Sequence, residues 1–600
     1  MGRIIFESDC IYDTGHLLIV RSEKRQIREE AMPLRNWKPR DRRNPLNNSA
    51  QLAGVFSACL LSACSVIPLA SPAAAQQAFL ESPNASDLPD FSYAGYGFGL
   101  ASIPNAMGTV LDVTEYGVIA DDRKDDTKAL LSVLAAAHEI KEPVTVQLPE
   151  GQIIVSEILP IERGNIIIRG AGSGESGTEI HMPRPLEAVD KTSRLDELRE
   201  YLVKYDKRQR EPDRNLDELF SEYSWTGGFF WVQKPGTRAA AYLEAYDPPI
   251  EKLTNIKSGE RGSRIVTVES AERLSTGDAL QIHWFNRDGE TGAILREIYG
   301  DTELAIGSHH WTFEDRPLVR QTTRILAIEG NKVEIGDPLL HSISDDAPAQ
   351  FSAWDHLEQV GFEDFSVTFP NSPFFGHHQE RGYNGIYLTS VIDGWIRDVR
   401  IVNADSGILT YNSANLTIEN IRTQGERQAH YAVHLGNVHN VLVRDILIEN
   451  PVLHSLTFNT QSTKSVYQNA TVLRLAVLDQ HAGANHQNLF DNVTLHVDAD
   501  RRDGQPFYSV WDGSGAGYWQ PGHGRFNTTW NLNIIVESGA SRDETVRLEG
   551  LAEGPSAFII GVHGNRDFDV DYRPAPSVLD ANERAEVESL YDWQLAQRSD

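Results

Sequence analysis

Between about Phe362 and Val493, short runs of alternating apolar and polar positions recur, each ending on an acidic or amide residue and a further apolar pair. The copies include Trp395-Ile396-Arg397-Asp398-Val399, Leu416-Thr417-Ile418-Glu419-Asn420-Ile421 and Val441-Leu442-Val443-Arg444-Asp445-Ile446. Asp398, Asn420 and Asp445 are 22 and 25 residues apart, and Phe362-Glu363-Asp364-Phe365 reads as the first copy. Asp491 falls 46 residues after Asp445 and is assigned to the same row, two periods on. Runs this short are strands rather than helices, and a period in the low twenties predicts a solenoid whose coils share one core. Equivalent positions of successive coils then lie about 4.8 Å apart. The pattern predicts an inward row of Ile386, Ile408, Val433 and Leu456. An outward row of Tyr387, Leu409, His434 and Thr457 runs beside it, and the preceding turn carries Asp405, His430, Tyr431 and His454. A long face of this kind forms a groove suited to a linear polymer.

Upstream, a strand over 110–117 precedes the acids 121–126. These, with Thr127, cap an amphipathic helix over 128–138. Strands follow at 144–148, 153–155 and 166–169, closed by Gly170-Ala171-Gly172-Ser173-Gly174. This order over residues 110–180, with "EYGV", "DDRKDDT", "VTVQLPEG" and "NIIIRGAGSG", resembles the N-terminal cap of the pectate-lyase-like superfamily of right-handed parallel β-helices. The resemblance implies an all-β fold and a polysaccharide as ligand. Its members include polysaccharide lyases, glycoside hydrolases and phage tailspikes, so it leaves the reaction open. The acids before the helix read as structural.

The expected organisation is an export signal and extension over 1–75, a linker over 76–109, the β-helix cap over 110–184 and a helical insertion over 185–224. A β subdomain over 225–345, the β-helix core over 346–565 and a tail with a terminal helix over 566–600 complete it. Leu195, Leu198 and Leu202 stand at helical spacing in the insertion. The subdomain alternates in the manner of antiparallel strands, with turns at Gly277-Asp278 and Gly330-Asn331. The terminal helix, over 581–597, is expected to cover the open end of the solenoid.

A net charge of −30 argues against nucleic acid as a partner. The three cysteines, Cys10, Cys59 and Cys64, all precede residue 65, so nothing downstream uses thiol chemistry or disulfides. A basic region over 35–43, an apolar stretch over 52–70 and Ala73-Ala74-Ala75 read as a signal for secretion or periplasmic export. Leu61-Ser62-Ala63-Cys64 also fits a lipoprotein signal with a lipid anchor at Cys64. No later apolar run is long enough to span a membrane.

Candidate chemistry centres on histidine. His377, His378, His430, His434, His454, His481 and His486 lie within about 110 residues, out of 19 in the chain. Stacking brings several of them onto one face. A lyase acting on a uronate needs a base, an acid and a group that neutralises the carboxylate. His430 or His434 fits the base, Tyr431 the acid, and Arg427 with His454 the carboxylate site. A hydrolase needs two carboxyl groups instead, for which Glu380, Asp405 and Glu426 are candidates on the same side, with Asp479 further along. A binding β-helix without catalysis stays open. His377, His378, Arg381, Arg474, His481, His486, Trp511 and Trp519 are the expected substrate contacts, and Trp284, Trp311 and Phe313 are further stacking candidates. His377-His378 with Glu380, or His481 with His486, can ligate a divalent ion, and an acidic pair beside a uronate can hold calcium. The sequence requires no cofactor.

Overall fold

The computed structural model describes residue 80 and residues 87–105, 108–205, 220–239, 250–300, 314–481, 483–512, 522–550 and 554–599. The export signal with Cys64, the segment holding Trp311 and Phe313, and Trp519 lie outside the described residues.

The β-rich repeats stack as the apolar pattern requires. Among the described residues one 15-stranded sheet runs from Thr109–Asp112 to Val578–Ala581. Its successive strands, such as Val360–Thr368, Trp395–Val402, Thr417–Gln424 and Leu442–Ile448, pair in parallel. A 12-stranded sheet carries the other half of each coil, including Asn384–Thr389, Ser406–Tyr411, Ala429–Gly436, Leu456–Asn459 and Leu478–His481. A third face is one bridge wide and links Ile392, Ala414, His439, Thr463 and His486 in turn. This is a parallel β-helix. Its core holds Ile386, Ile408, Val433 and Leu456, all at most 1% exposed.

The acidic and amide row lies where the first sheet bends. Asp364, Asp398, Asn420, Asp445, Asn469 and Asn492 all have φ between 53° and 63°. Asn and Asp tolerate this left-handed region better than other residues with a side chain. The row passes through Asn469 and Asn492, so the assignment of Asp491 was one residue early. Asp491 instead continues the register Glu363, Arg397, Glu419, Arg444, Gln468.

The cap helix forms over Thr127–Glu139 and buries Leu130, Val133 and Ala137 on the first coil. Asp125 accepts from the Thr127 backbone N–H at 2.9 Å, and Asp126 accepts from Ile119 N–H at 3.1 Å, which fits their structural reading. In the insertion, Asp196–Tyr205 is helical, and Leu195, Leu198 and Leu202 are buried.

The antiparallel strands close into a barrel between Lys252–Ser258 and Ala349–Ser352. Phe230–Val232 is not part of it and pairs within the β-helix. The barrel leans on the narrow third face. There Asp337 receives His439 Nε2 at 2.7 Å, and Gln461 donates to the carbonyls of Pro317 and Leu318. Trp284 is fully buried in the barrel core, so it offers no ring to a sugar.

The terminal helix is shorter than expected, Leu590–Ser599, and lies elsewhere. It packs along the flank of the first sheet, on Leu442, Val466, Leu489 and Trp530, rather than over the open end. Those residues form an apolar outer stripe, and burying it outweighs covering an edge. Asp491 anchors the helix start, accepting Ser589 Oγ at 2.6 Å and the N–H groups of Leu590 and Tyr591 at 3.0 Å. Among the described residues no helix is long and apolar enough to cross a membrane.

Candidate functional site

Parallel register converts sequence period into proximity. Leu409 pairs with His434, His434 with Thr457, and Thr457 with Asp479, while Tyr431 pairs with His454 and Asn459 with His481. Side chains of consecutive residues in a regular strand point to opposite faces. The rings of His430 and Tyr431 nonetheless stack, 4.1 Å apart and 12° from parallel. Both residues stand at the start of Ala429–Gly436, the corner where the coil enters the second sheet, and the next rung is interrupted at Ser455, between Val452–His454 and Leu456–Asn459.

The corner gathers five histidines. Ring centroids are 4.8 Å apart for His377 and His430, 5.2 Å for His430 and His454, and 4.6 Å for His454 and His481. His378 lies 3.9 Å from His377. Two carboxylates flank them: Glu380 Oε1 is 3.2 Å from His430 Nδ1, and Asp479 Oδ2 is 3.0 Å from His454 Nδ1. Asp479 Oδ1 is 3.5 Å from His481 Nδ1. His430 and His454 are buried, yet none of their ring nitrogens makes a well-aligned hydrogen bond.

Burial sets the protonation states. It holds His430 far below the usual imidazole range, aided by neighbouring His454. It lowers His434 to about 3. It pushes the Tyr431 phenol up, with Asp479 adding to the effect, so the phenol keeps its proton. Burial raises the Glu380 carboxyl, too. For Asp479 burial acts upward, but His454 and His481 outweigh it and hold the group ionised.

Not every candidate joins this cluster. The Arg427 guanidinium is occupied by Asp405 at 3.5 Å, by Ser372 Oγ and by the Asn403 carbonyl, and it lies over the Tyr383 ring. Asp405 also accepts the N–H groups of Gly382 and Tyr383 at 3.0 and 2.9 Å. Arg381 pairs with Glu187 at the surface, and Arg474 is exposed. His486 sits on the third face, 2.7 Å from His341 across the barrel contact, so it makes no metal pair with His481. Trp511 is 1% exposed, with Nε1 bonded to Thr529, and cannot stack on a sugar. The outward row is not an open groove either. Tyr387 and Leu409 are fully buried, with the Tyr387 hydroxyl bonded to the Ala239 carbonyl. Solvent reaches the cluster at His377, His378 and His481.

No protein-family model and no curated protein matches the chain. Solved structures do. The tailspike protein of Pseudomonas phage LKA1 is similar over 80% of this chain and 81% of its own, with 14% identity and a TM-score of 0.44. The exopolygalacturonase of Thermotoga maritima is similar over 82% and 94%, with 8% identity and a TM-score of 0.32. The surface adhesin PfbA of Streptococcus pneumoniae is similar over 80% and 98%, with 8% identity and a TM-score of 0.35.

Proposed function

We propose that the protein is a carbohydrate-active enzyme that cleaves an extended, uronate-bearing polysaccharide by β-elimination at the histidine corner. One observation carries the reading. His430, a buried neutral imidazole whose ring nitrogens make no aligned hydrogen bond, lies stacked on Tyr431, a phenol held in its protonated form. A base and an acid thus stand side by side in the states the reaction consumes. His430 takes the proton alpha to the uronate carboxyl, Tyr431 protonates the leaving oxygen, and the His454–His481 side neutralises the carboxylate. The polymer enters where His377 and His481 meet solvent. The resemblance of the cap sequence and the export-type leader support an extracellular or periplasmic polysaccharide as substrate.

A second reading, hydrolysis, rests on a different observation. Glu380 is raised and Asp479 lowered, the opposed shifts that a general acid and a general base need. Incubation with a panel of acidic and neutral glycans separates the two. Elimination leaves unsaturated ends that absorb in the near ultraviolet, whereas hydrolysis leaves new reducing ends without them. Binding with no product would remove both readings.

A further inference from the structure

We propose that His454, Asp479 and His481 bind a divalent transition-metal ion of the zinc type. Their ligand atoms all lie within 4.8 Å of one another. A tetrahedral ion with bonds of about 2.0–2.1 Å sets its ligand atoms ~3.3 Å apart. Asp479 Oδ2 is 3.0 Å from His454 Nδ1 and Oδ1 is 3.5 Å from His481 Nδ1, so each carboxylate oxygen stands near that spacing from one imidazole.

The surroundings are those of a built site. Asp479 is fully buried, and its Oδ2 accepts Thr457 Oγ1 at 2.7 Å, which fixes the carboxylate as an outer-shell donor does. Its Oδ1 has no aligned hydrogen bond, nor has either ring nitrogen of His454, itself 6% exposed. Buried polar atoms without partners are costly and uncommon. One shared cation would satisfy Oδ1 and an imidazole nitrogen together. Two imidazoles with one carboxylate select a zinc-like ion over calcium or magnesium, which prefer all-oxygen shells. His481 is half-buried, so a fourth position can face solvent. A second group, His377, His378 and His430, has imidazole ligands alone, and the carboxylate beside it, Glu380, already accepts Ser224 Oγ and the His378 N–H.

On the β-elimination reading the ion takes over neutralisation of the substrate carboxylate. Binding itself does not depend on that reading and is measured without substrate. The chelator-treated full-length protein is titrated with Zn²⁺ by calorimetry and with Co²⁺ by visible absorption. We expect one ion per chain and the intense bands of tetrahedral Co²⁺. Affinity should fall at least about 100-fold in His481→Ala and in Asp479→Asn, and stay within about threefold in His377→Ala. Thermal melting checks that each variant is folded. The proposal is overturned if the folded wild-type chain takes up no stoichiometric ion. It is equally overturned if His377→Ala abolishes binding while His481→Ala binds normally.

Discussion

The side-chain amide of Asn469 donates to the carboxylate of Asp445, 3.1 Å away on the preceding coil. Asn492 donates in turn to Asn469 at 2.8 Å, and Asn420 donates to Asp398 lower in the same row. The ladder ties coil to coil at a position where each residue must also hold a left-handed backbone. Replacing Asn469 by Ala removes two bonds and adds conformational cost, a loss of about 1–2 kcal/mol. Asn469→Gly keeps the conformation and should be milder in a denaturant titration. Equal losses would show that the backbone preference contributes nothing.

Asp491 lies in the β-helix register and accepts from the first turn of the terminal helix. Asp491→Ala leaves buried donors unpaired and should cost at least about 2 kcal/mol. Limited proteolysis is the sensitive probe, with cleavage near residue 590 accelerated in Asp491→Ala and much less so in Asp491→Asn. Unchanged cleavage would mean that Leu590 and Tyr591 hold the helix without the carboxylate.

Four buried histidines away from the candidate site set a direction for acid stability. Burial lowers His283, His341, His486 and His523, the last to about 3. Unfolded, each titrates near 6.5. Below that pH the unfolded chain takes up protons that the folded chain refuses. The stability these neutral rings allow is therefore full above 6.5 and is lost as pH falls toward their folded values. Each contributes a slope of about 1.4 kcal/mol per pH unit well below 6.5. The melting temperature should drop steadily from pH 7 to pH 5, and a flat profile would contradict the assignment.

At the corner, Tyr431→Phe keeps the ring and deletes the proton donor, and His430→Ala removes the base. Each should slow product formation by about 10²–10⁴ while the fold survives. Wild-type rates in Tyr431→Phe would remove the phenol from the mechanism. Glu380→Gln tests the rival carboxyl chemistry, since elimination by His430 should fall far less than hydrolysis would.

Much of this was legible in the chain because a parallel solenoid converts spacing into contact. Asp398, Asn420 and Asp445 gave the coil period, and the same period brought His430, Tyr431 and His454 together. Adjacent Asx residues defeated it at Asp491-Asn492, where composition alone does not say which one carries the bend. Asp479 as the partner of His454 could have been found, since it follows Thr457 by 22 residues in the outward row. His481 and His486 look like a pair in sequence, but a corner between them sends one to the second sheet and the other to the third face. The covering of Tyr387 and Leu409 was not legible, because it comes from segments remote in sequence, such as that holding Ala239.

The barrel inserted beside the coils bears on how the chain is made. Arg169 and Glu363, whose strands lie side by side, are 194 residues apart. A ribosome therefore delivers the capped first coils well before the strand they dock on, and the self-contained barrel in between. During that interval Ile166–Arg169 is an unprotected strand edge. Synthesis speed across the intervening stretch, rather than the finished protein's stability, sets how long that edge is open to the wrong neighbour.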